Sequence, residues 1–244
     1  MLSTGSTALT NGQLLFAAPA PVTIPIVGCS ELFPVRRVYC VGRNYADHAK
    51  EMGFSGREPP FFFMKPADGL LVVEHGAVGA LPYPALTRNF HHEIELVVAL
   101  GKGGRDIKAV DAMALVFGYA VGFDMTRRDL QNEMKKEGRP WEIGKAFDHS
   151  GPIGPITPKD QVPDIGSAAI TLAVNGAIRQ RGRISQLIWS IAETIEHLSA
   201  AWELRAGDLI FTGTPEGVGP VIAGDLLIGT IEGLIELRVR VGQE

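Results

Sequence analysis

The chain has 244 residues, 45% of them hydrophobic and 20% charged, the balance of a globular protein with a sizeable core. Its formal net charge is −4 and no lysine or arginine block stands out, so nucleic acid is not an expected partner. No run approaches the ~20 apolar residues of a membrane span, and the N-terminal stretch has no basic segment before its short apolar piece, so a soluble cytoplasmic protein is expected.

Residues 1–20 are small and polar and read as a peripheral arm. Cys29 and Cys40, the only two cysteines, form no framework and are expected to be free thiols. Residues 38–41 read as a short buried strand ending at Gly42, and 44–53 as a helix closed by Gly53. The apolar run 59–66 is bracketed by prolines and reads as extended. The segment 91–101, "HHEIELVVALG", is the longest strand candidate. Helical spacing follows over 107–116, then strand over 117–125. Residues 126–138 have the grammar of a helix, with Thr126 as its cap and Gly138 as its stop. Asn175-Gly176, between alternating flanks, predicts a hairpin over 169–182. An amphipathic helix over 186–202, a strand leading into the glycine-rich loop of 207–221, and a closing strand over 234–241 complete the chain. Strands outnumber helices and do not alternate with them regularly. The expected class is therefore α+β, with a mostly β core.

Glu93 and Glu95 carry the first chemical signal. On a strand they share one face, where two carboxylates repel and lose hydration unless a positive charge compensates. A divalent cation would do so, and Asp124, placed at the end of a Gly/Ala/Val/Phe strand, is a candidate third oxygen ligand. Three carboxylates without clustered cysteine or histidine favour Mg²⁺ or Mn²⁺ over Zn²⁺. The same residues also suit plainer roles. Glu-x-Glu describes the wet face of a half-buried sheet, and Asp124 the cap of the following helix. The loop "GTPEGVG" lacks the Gly-Lys-Ser/Thr ending of a nucleotide loop, although its backbone N–H groups suit a substrate carboxylate. His75, His149 and His197 read as surface or core residues. Trp141 and the Phe61–Phe63 run read as core or as one wall of a pocket.

Six stretches, "VGRNYADHAKEMG", "PFFFMKP", "HHEIELVV", "GYAVGFDMTRRDLQ", "GRPWEIGKAFD" and "DLIFTGTPEGVGP", occur in the order seen in the fumarylacetoacetate hydrolase family. The chain resembles that family over roughly 36–241, most of all its fumarylpyruvate hydrolase branch and next its acylpyruvase/oxaloacetate decarboxylase branch. This leaves 1–35 as an N-terminal arm and 36–244 as the catalytic domain. The resemblance implies a mixed β-roll or sandwich, a homodimer, and Mg²⁺ or Mn²⁺ on the residues matching Glu93, Glu95 and Asp124. It implies a water-activating pair at His48 and Glu51, one helical turn apart, and an active-site lysine at Lys145. It further implies substrate contacts from Arg128, Gln131 and Thr214. A basic residue in the distal pocket would favour a fumaryl carboxylate, and Arg43 or Arg127 could serve.

The activity so implied is hydrolysis of the carbon–carbon bond of an acylpyruvate, a 2-oxo acid, in aromatic-compound catabolism. Fumarylpyruvate, giving fumarate and pyruvate, is the leading substrate. Decarboxylation of oxaloacetate, isomerisation of a 2-oxo acid and silent dicarboxylate binding are the alternatives. Gly53, Gly56, Pro59 and Pro60 add the expectation that the segment bearing His48 and Glu51 is a hinged lid, the plainer reading being a fixed surface helix.

Overall fold

A computed structural model describes residues 14–45, 57–162 and 164–243. Most of the helix expected over 44–53 and of the lid expected over 44–60, with His48 and Glu51, therefore lies outside the described residues.

The strand Ile94–Leu100 is buried along its whole length. Ile94, Leu96, Val98 and Leu100 enter one apolar core, while Val97 and Ala99 enter a second on the opposite face. Burial on both faces is why this stretch reads as an unbroken aliphatic run rather than an alternation. It is the middle of a mixed eight-stranded sheet. Leu209–Phe211, Val38–Gly42 and Phe61–Lys65 follow on one side, and Val116–Phe123, Gly151–Ile153 and Leu70–Val72 on the other, with Thr157–Pro158 as an eighth strand also pairing Val116–Phe123. Val38–Gly42 runs parallel to Leu209–Phe211, and Gly151–Ile153 parallel to Leu70–Val72. The expected mostly-strand α+β class, with a curled mixed sheet, is what forms.

A second sheet of five strands covers the first core. Its order is Ala177–Arg183, Ala169–Val174, Leu226–Ile231, Leu237–Val241 and Gly79–Leu81. Ile170, Leu172, Leu227, Leu237 and Val239 face inward from it. The expected hairpin is there: Asn175 and Gly176 both take positive φ, 50° and 80°, as a tight two-residue turn requires. The helix Ile191–Ala201 adds Ile195 and Leu198 to the same core. It starts five residues later than its apolar pattern, at a Ser190–Glu193 capping box. Residues 188 and 189 are diverted to Asn44: Ile188 N–H donates to the Asn44 carbonyl at 2.8 Å, and Trp189 N–H to Asn44 Oδ1 at 2.7 Å.

The second core is closed by a ribbon of Thr23–Pro25 and Leu32–Pro34, which buries Ile24 and Phe33. Part of the segment read as an arm thus packs against the main sheet. Cys29 is exposed and Cys40 buried, and both are free thiols.

Two expectations change. The strand candidate 91–101 divides at Glu93: Phe90–His92 pairs with Thr126–Arg127 and Gly219–Pro220 in a small separate sheet, and only Ile94–Leu100 joins the large one. The helix expected from Thr126 begins at Arg128 and runs to Glu137. Thr126 does not cap it. Its hydroxyl donates instead to the Asp124 carbonyl at 3.1 Å, because residues 126–127 are held as strand.

Candidate active site

Phe90–His92 and Thr126–Arg127 pair in the small sheet, while Ile94–Leu100 and Val116–Phe123 pair in the large one. Two neighbouring chains therefore leave one sheet for the other at the same level. The residues at the crossing are Glu93 and Asp124, bridged by a hydrogen bond from Asp124 N–H to the Glu93 carbonyl at 2.8 Å. Glu95 follows two residues later on the face shared with Val97 and Ala99. The outcome is a buried triad in which Glu93, Glu95 and Asp124 each offer an oxygen within 4.8 Å of the others. They are only 7%, 2% and 1% exposed. That burial rules out the wet-sheet reading of Glu-x-Glu, and Asp124 caps no helix.

Cations surround the triad. Lys145 Nζ lies 2.9 Å from Glu93 Oε2 and 2.5 Å from Asp124 Oδ2. Lys65 Nζ lies 2.9 Å from Asp124 Oδ1 and also donates to the Lys145 carbonyl. Arg128 pairs with Glu93 and donates to Gln131 Oε1 at 2.5 Å. Burial raises the pKa of Glu93, but Lys145 and Arg128 outweigh it and hold this carboxyl far below the usual range. Burial opposes the charge of Lys145, yet Asp124 and Glu93 outweigh it and hold the ammonium above its ordinary value.

Among the described residues, Glu95 forms no such ion pair. Burial, then the charges of Asp124 and Glu93, push it well above the usual carboxylate range. Its help comes from the glycine-rich loop, where Gly213 N–H donates to Glu95 Oε2 at 2.7 Å. The loop thus turns this N–H to a protein carboxylate, where the sequence suggested a substrate. Asp124 Oδ1, despite Lys65 nearby, accepts no hydrogen bond. An all-oxygen donor set and one carboxylate crowded by like charge together fit a hard divalent cation.

Gly213 has φ of 102°, and a Cβ there would sit 2.9 Å from Asn44 Cβ. Gly213→Ala is therefore expected to cost roughly 1–3 kcal/mol of stability. By moving the N–H off Glu95 it should also weaken metal affinity, as metal titration followed by calorimetry will show.

A pocket opens from the triad. Arg43, Phe61, Phe63, Arg128, Gln131, Lys135, Trp141, Lys145 and Thr214 line it together with the three carboxylates. Thr214 Oγ1 accepts a hydrogen bond from Gln180 Nε2 at 2.8 Å, which leaves its own proton for a ligand. The structure brings together every expected site residue among those described. Arg127 is the exception, since its guanidinium stacks 4.3 Å from the Phe147 ring and does not line the pocket. Sequence reasoning missed two cations. Lys65 carried no signal, because it meets Asp124 only through tertiary packing. Lys135 had one, being seven residues after Arg128 on the same helix.

A buried carboxylate triad fitted to a hard cation, at the floor of a pocket walled by cations and aromatic rings, defines an enzyme that handles small anions. The chain belongs to the fumarylacetoacetate hydrolase family, whose C-terminal domain matches residues 37–242. The family match taken with its hydrolase relatives indicates an enzyme that hydrolyses carbon–carbon bonds. It is 60% identical to the fumarylpyruvate hydrolase of Pseudomonas aeruginosa, solved with Mn²⁺ and pyruvate, with a TM-score of 0.93 over 95% of this chain and 100% of that one. A fumarylpyruvate hydrolase of a Ralstonia species is 45% identical over 185 residues, 76% of this chain and 94% of that one. The mitochondrial oxaloacetate tautomerase of Mus musculus is 43% identical over 206 residues, 84% of this chain and 91% of that one.

Proposed function

We propose that this protein hydrolyses fumarylpyruvate to fumarate and pyruvate, with Glu93, Glu95 and Asp124 as ligands to Mn²⁺ or Mg²⁺. The observation that carries the reading is the placement of the buried triad at one end of a pocket with a surplus of cations. Arg43, Arg128, Lys135 and Lys145 line it against three carboxylates. A divalent metal raises that surplus further, so the pocket suits a substrate with more than one negative charge.

When bound, the metal supplies Lewis-acid polarisation to the 2-oxo acid end of the substrate. The chain's own groups do the rest. Arg128 and Gln131 orient that end, and Thr214 donates its hydroxyl proton to it. Lys145, held rigidly by Glu93 and Asp124, faces the charge that develops on the distal carbonyl oxygen during attack. His48 and Glu51 take the proton from the attacking water. Water oxygen joins the distal carbonyl carbon, the adjoining carbon–carbon bond breaks, and the methylene carbon of the pyruvate portion gains the proton. We carry a cytoplasmic homodimer as part of the proposal, with sedimentation velocity as its check.

The deciding experiment compares kcat/KM for fumarylpyruvate, acetylpyruvate and oxaloacetate on the Mn²⁺-loaded protein. Fumarylpyruvate hydrolysis should lead. If oxaloacetate is tautomerised or decarboxylated faster than either acylpyruvate is cleaved, the oxaloacetate activity of the relatives replaces this reading.

A further inference from the structure

We propose that Lys135 is a specificity residue: its ammonium binds the distal carboxylate of the substrate and so selects a dicarboxylic acylpyruvate over one that ends in a methyl group. This rests on the acylpyruvate reading above and names the part of the substrate that the reading leaves open.

Arg128, Gln131 and Lys135 stand at i, i+3 and i+7 of the helix Arg128–Glu137, hence on one face, and all three line the pocket. At 1.5 Å per residue, Lys135 lies about 10 Å along the helix from Arg128. Arg128 pairs with Glu93 at the triad, and Lys135 stands two turns further along the same pocket-lining face. There Lys135 Nζ stands 5.1 Å from the centre of the Trp141 ring. Trp141 meets Phe61 edge-on at 5.1 Å, and Arg43 lies 5.5 Å over Phe61. The far end of the pocket is thus a pair of aromatic rings with a cation beside each. Such a place fits a flat, conjugated acyl chain ending in a carboxylate.

The length agrees. The carbon chain of a seven-carbon dioic acid spans roughly 7.5 Å when extended, and its carboxylate oxygens reach further. With its 2-oxo acid end at the triad, the second carboxylate arrives at Lys135. Acetylpyruvate stops short of it.

Lys135 also differs from the pocket's inner cations. Lys145 and Arg128 each pair with a carboxylate. Among the described residues, no carboxylate pairs with Lys135, although its side chain is half-buried. A part-desolvated ammonium without a counter-ion is disfavoured, and a bound anion would supply one. Its pKa moves accordingly: burial, then the nearby positive charges of Arg128 and Arg43, bring it down to about 8, with Glu93 pulling weakly the other way and Lys145 adding to the fall.

The test measures the ratio of kcat/KM for fumarylpyruvate to kcat/KM for acetylpyruvate. Lys135→Met keeps the length and the packing on Trp141 but removes the charge. The ratio should fall roughly 10–100-fold, as expected for losing one charge-assisted hydrogen bond. Lys135→Arg should restore most of it. Inhibition by fumarate should weaken in parallel, and inhibition by pyruvate should not. Lys135→Gln serves as a second neutral variant, with melting temperatures confirming that each is folded. An unchanged ratio in folded Lys135→Met and Lys135→Gln, whether or not both activities decline together, overturns the proposal and leaves Lys135 as packing for Trp141. Wild-type protein that cleaves neither acylpyruvate is a separate result, which overturns the underlying reading and this inference with it.

Discussion

Stripped of divalent metal, the wild-type protein should lose its turnover, recover it with Mn²⁺ or Mg²⁺, and grow less stable relative to Glu95→Gln as pH rises. The cause is the unpaired, crowded carboxyl of Glu95, whose folded pKa stands well above the usual range. Such a group contributes stability that is fully present below its unfolded pKa of about 4.3. That contribution is lost as pH rises toward the folded value. The gap between the metal-free proteins should therefore open above about pH 4.3, by as much as about 1.4 kcal/mol per pH unit, with the variant the more stable. Glu93 is present in both proteins, and in the wild type its charge adds to the crowding of Glu95. Its own contribution has the opposite sign, because its lowered folded pKa costs stability only as the solution is acidified. Metal should reverse the order. At a hundred times Kd it adds about 2.7 kcal/mol to the wild type, and less to a variant short of one ligand. Urea titrations at pH 5 and pH 8, each with EDTA or Mn²⁺, will measure all four stabilities. Full activity in metal-free protein would remove the metal from the mechanism, and undiminished Mn²⁺ affinity in Glu95→Gln would remove Glu95 from its ligands.

Glu51→Gln should reduce kcat for fumarylpyruvate hydrolysis by roughly 10²–10⁴-fold, the usual loss for deleting a general base. Its affinity for Mn²⁺ should stay near that of the wild type, because the proposed ligands are Glu93, Glu95 and Asp124. Any action on oxaloacetate that needs no attacking water should suffer less, so the two activities of one variant will separate. His48 and Glu51 are given these roles by the family resemblance alone. Loss of the fumarylpyruvate absorbance under saturating substrate gives kcat, and calorimetric titration gives the metal affinity. Hydrolysis near the wild-type rate would mean that another group activates the water.

Glu93, Glu95 and Asp124 stand out by a local physical signal, while the plainer roles of a wet sheet face and a helix cap stay open without the family resemblance. Two carboxylates two residues apart on an aliphatic strand demand compensation, and an aspartate after an apolar strand is equally conspicuous. The Asn175-Gly176 hairpin was legible for the same reason, since its turn chemistry is contained in two residues. What escaped the sequence depends on distant partners. The division of the 91–101 strand is set by which chains flank it: His91 and His92 pair with the small sheet, while Ile94 onward pairs with the large one. Residues 188 and 189 look helical by pattern, yet backbone groups there are taken by Asn44 and the helix waits for Ser190. Lys65 reads as the polar end of a phenylalanine run, and only the fold shows its ammonium buried against Asp124. Arg127 and Lys135 make the sharper contrast. Both are cations near the same helix, and helical phase sends Lys135 to the pocket while Arg127 turns to Phe147.

The shared crossing at Glu93 and Asp124 also determines where this enzyme tolerates change in chain length. Each crossing is pinned on both sides by strand pairing, to Phe90–His92 and Thr126–Arg127 in one sheet and to Ile94–Leu100 and Val116–Phe123 in the other. The connection between them, 101–115, leaves the large sheet at Leu100 and returns at Val116. Residues added or removed in its exposed turns alter the path between two fixed points and leave the carboxylates where they are. One residue added at 93 or 124 is different. It turns the side chains on one side of the crossing to the opposite face, so a carboxylate leaves the triad although no functional side chain has been replaced. Natural and engineered length variation should therefore gather in the connection and avoid the crossing.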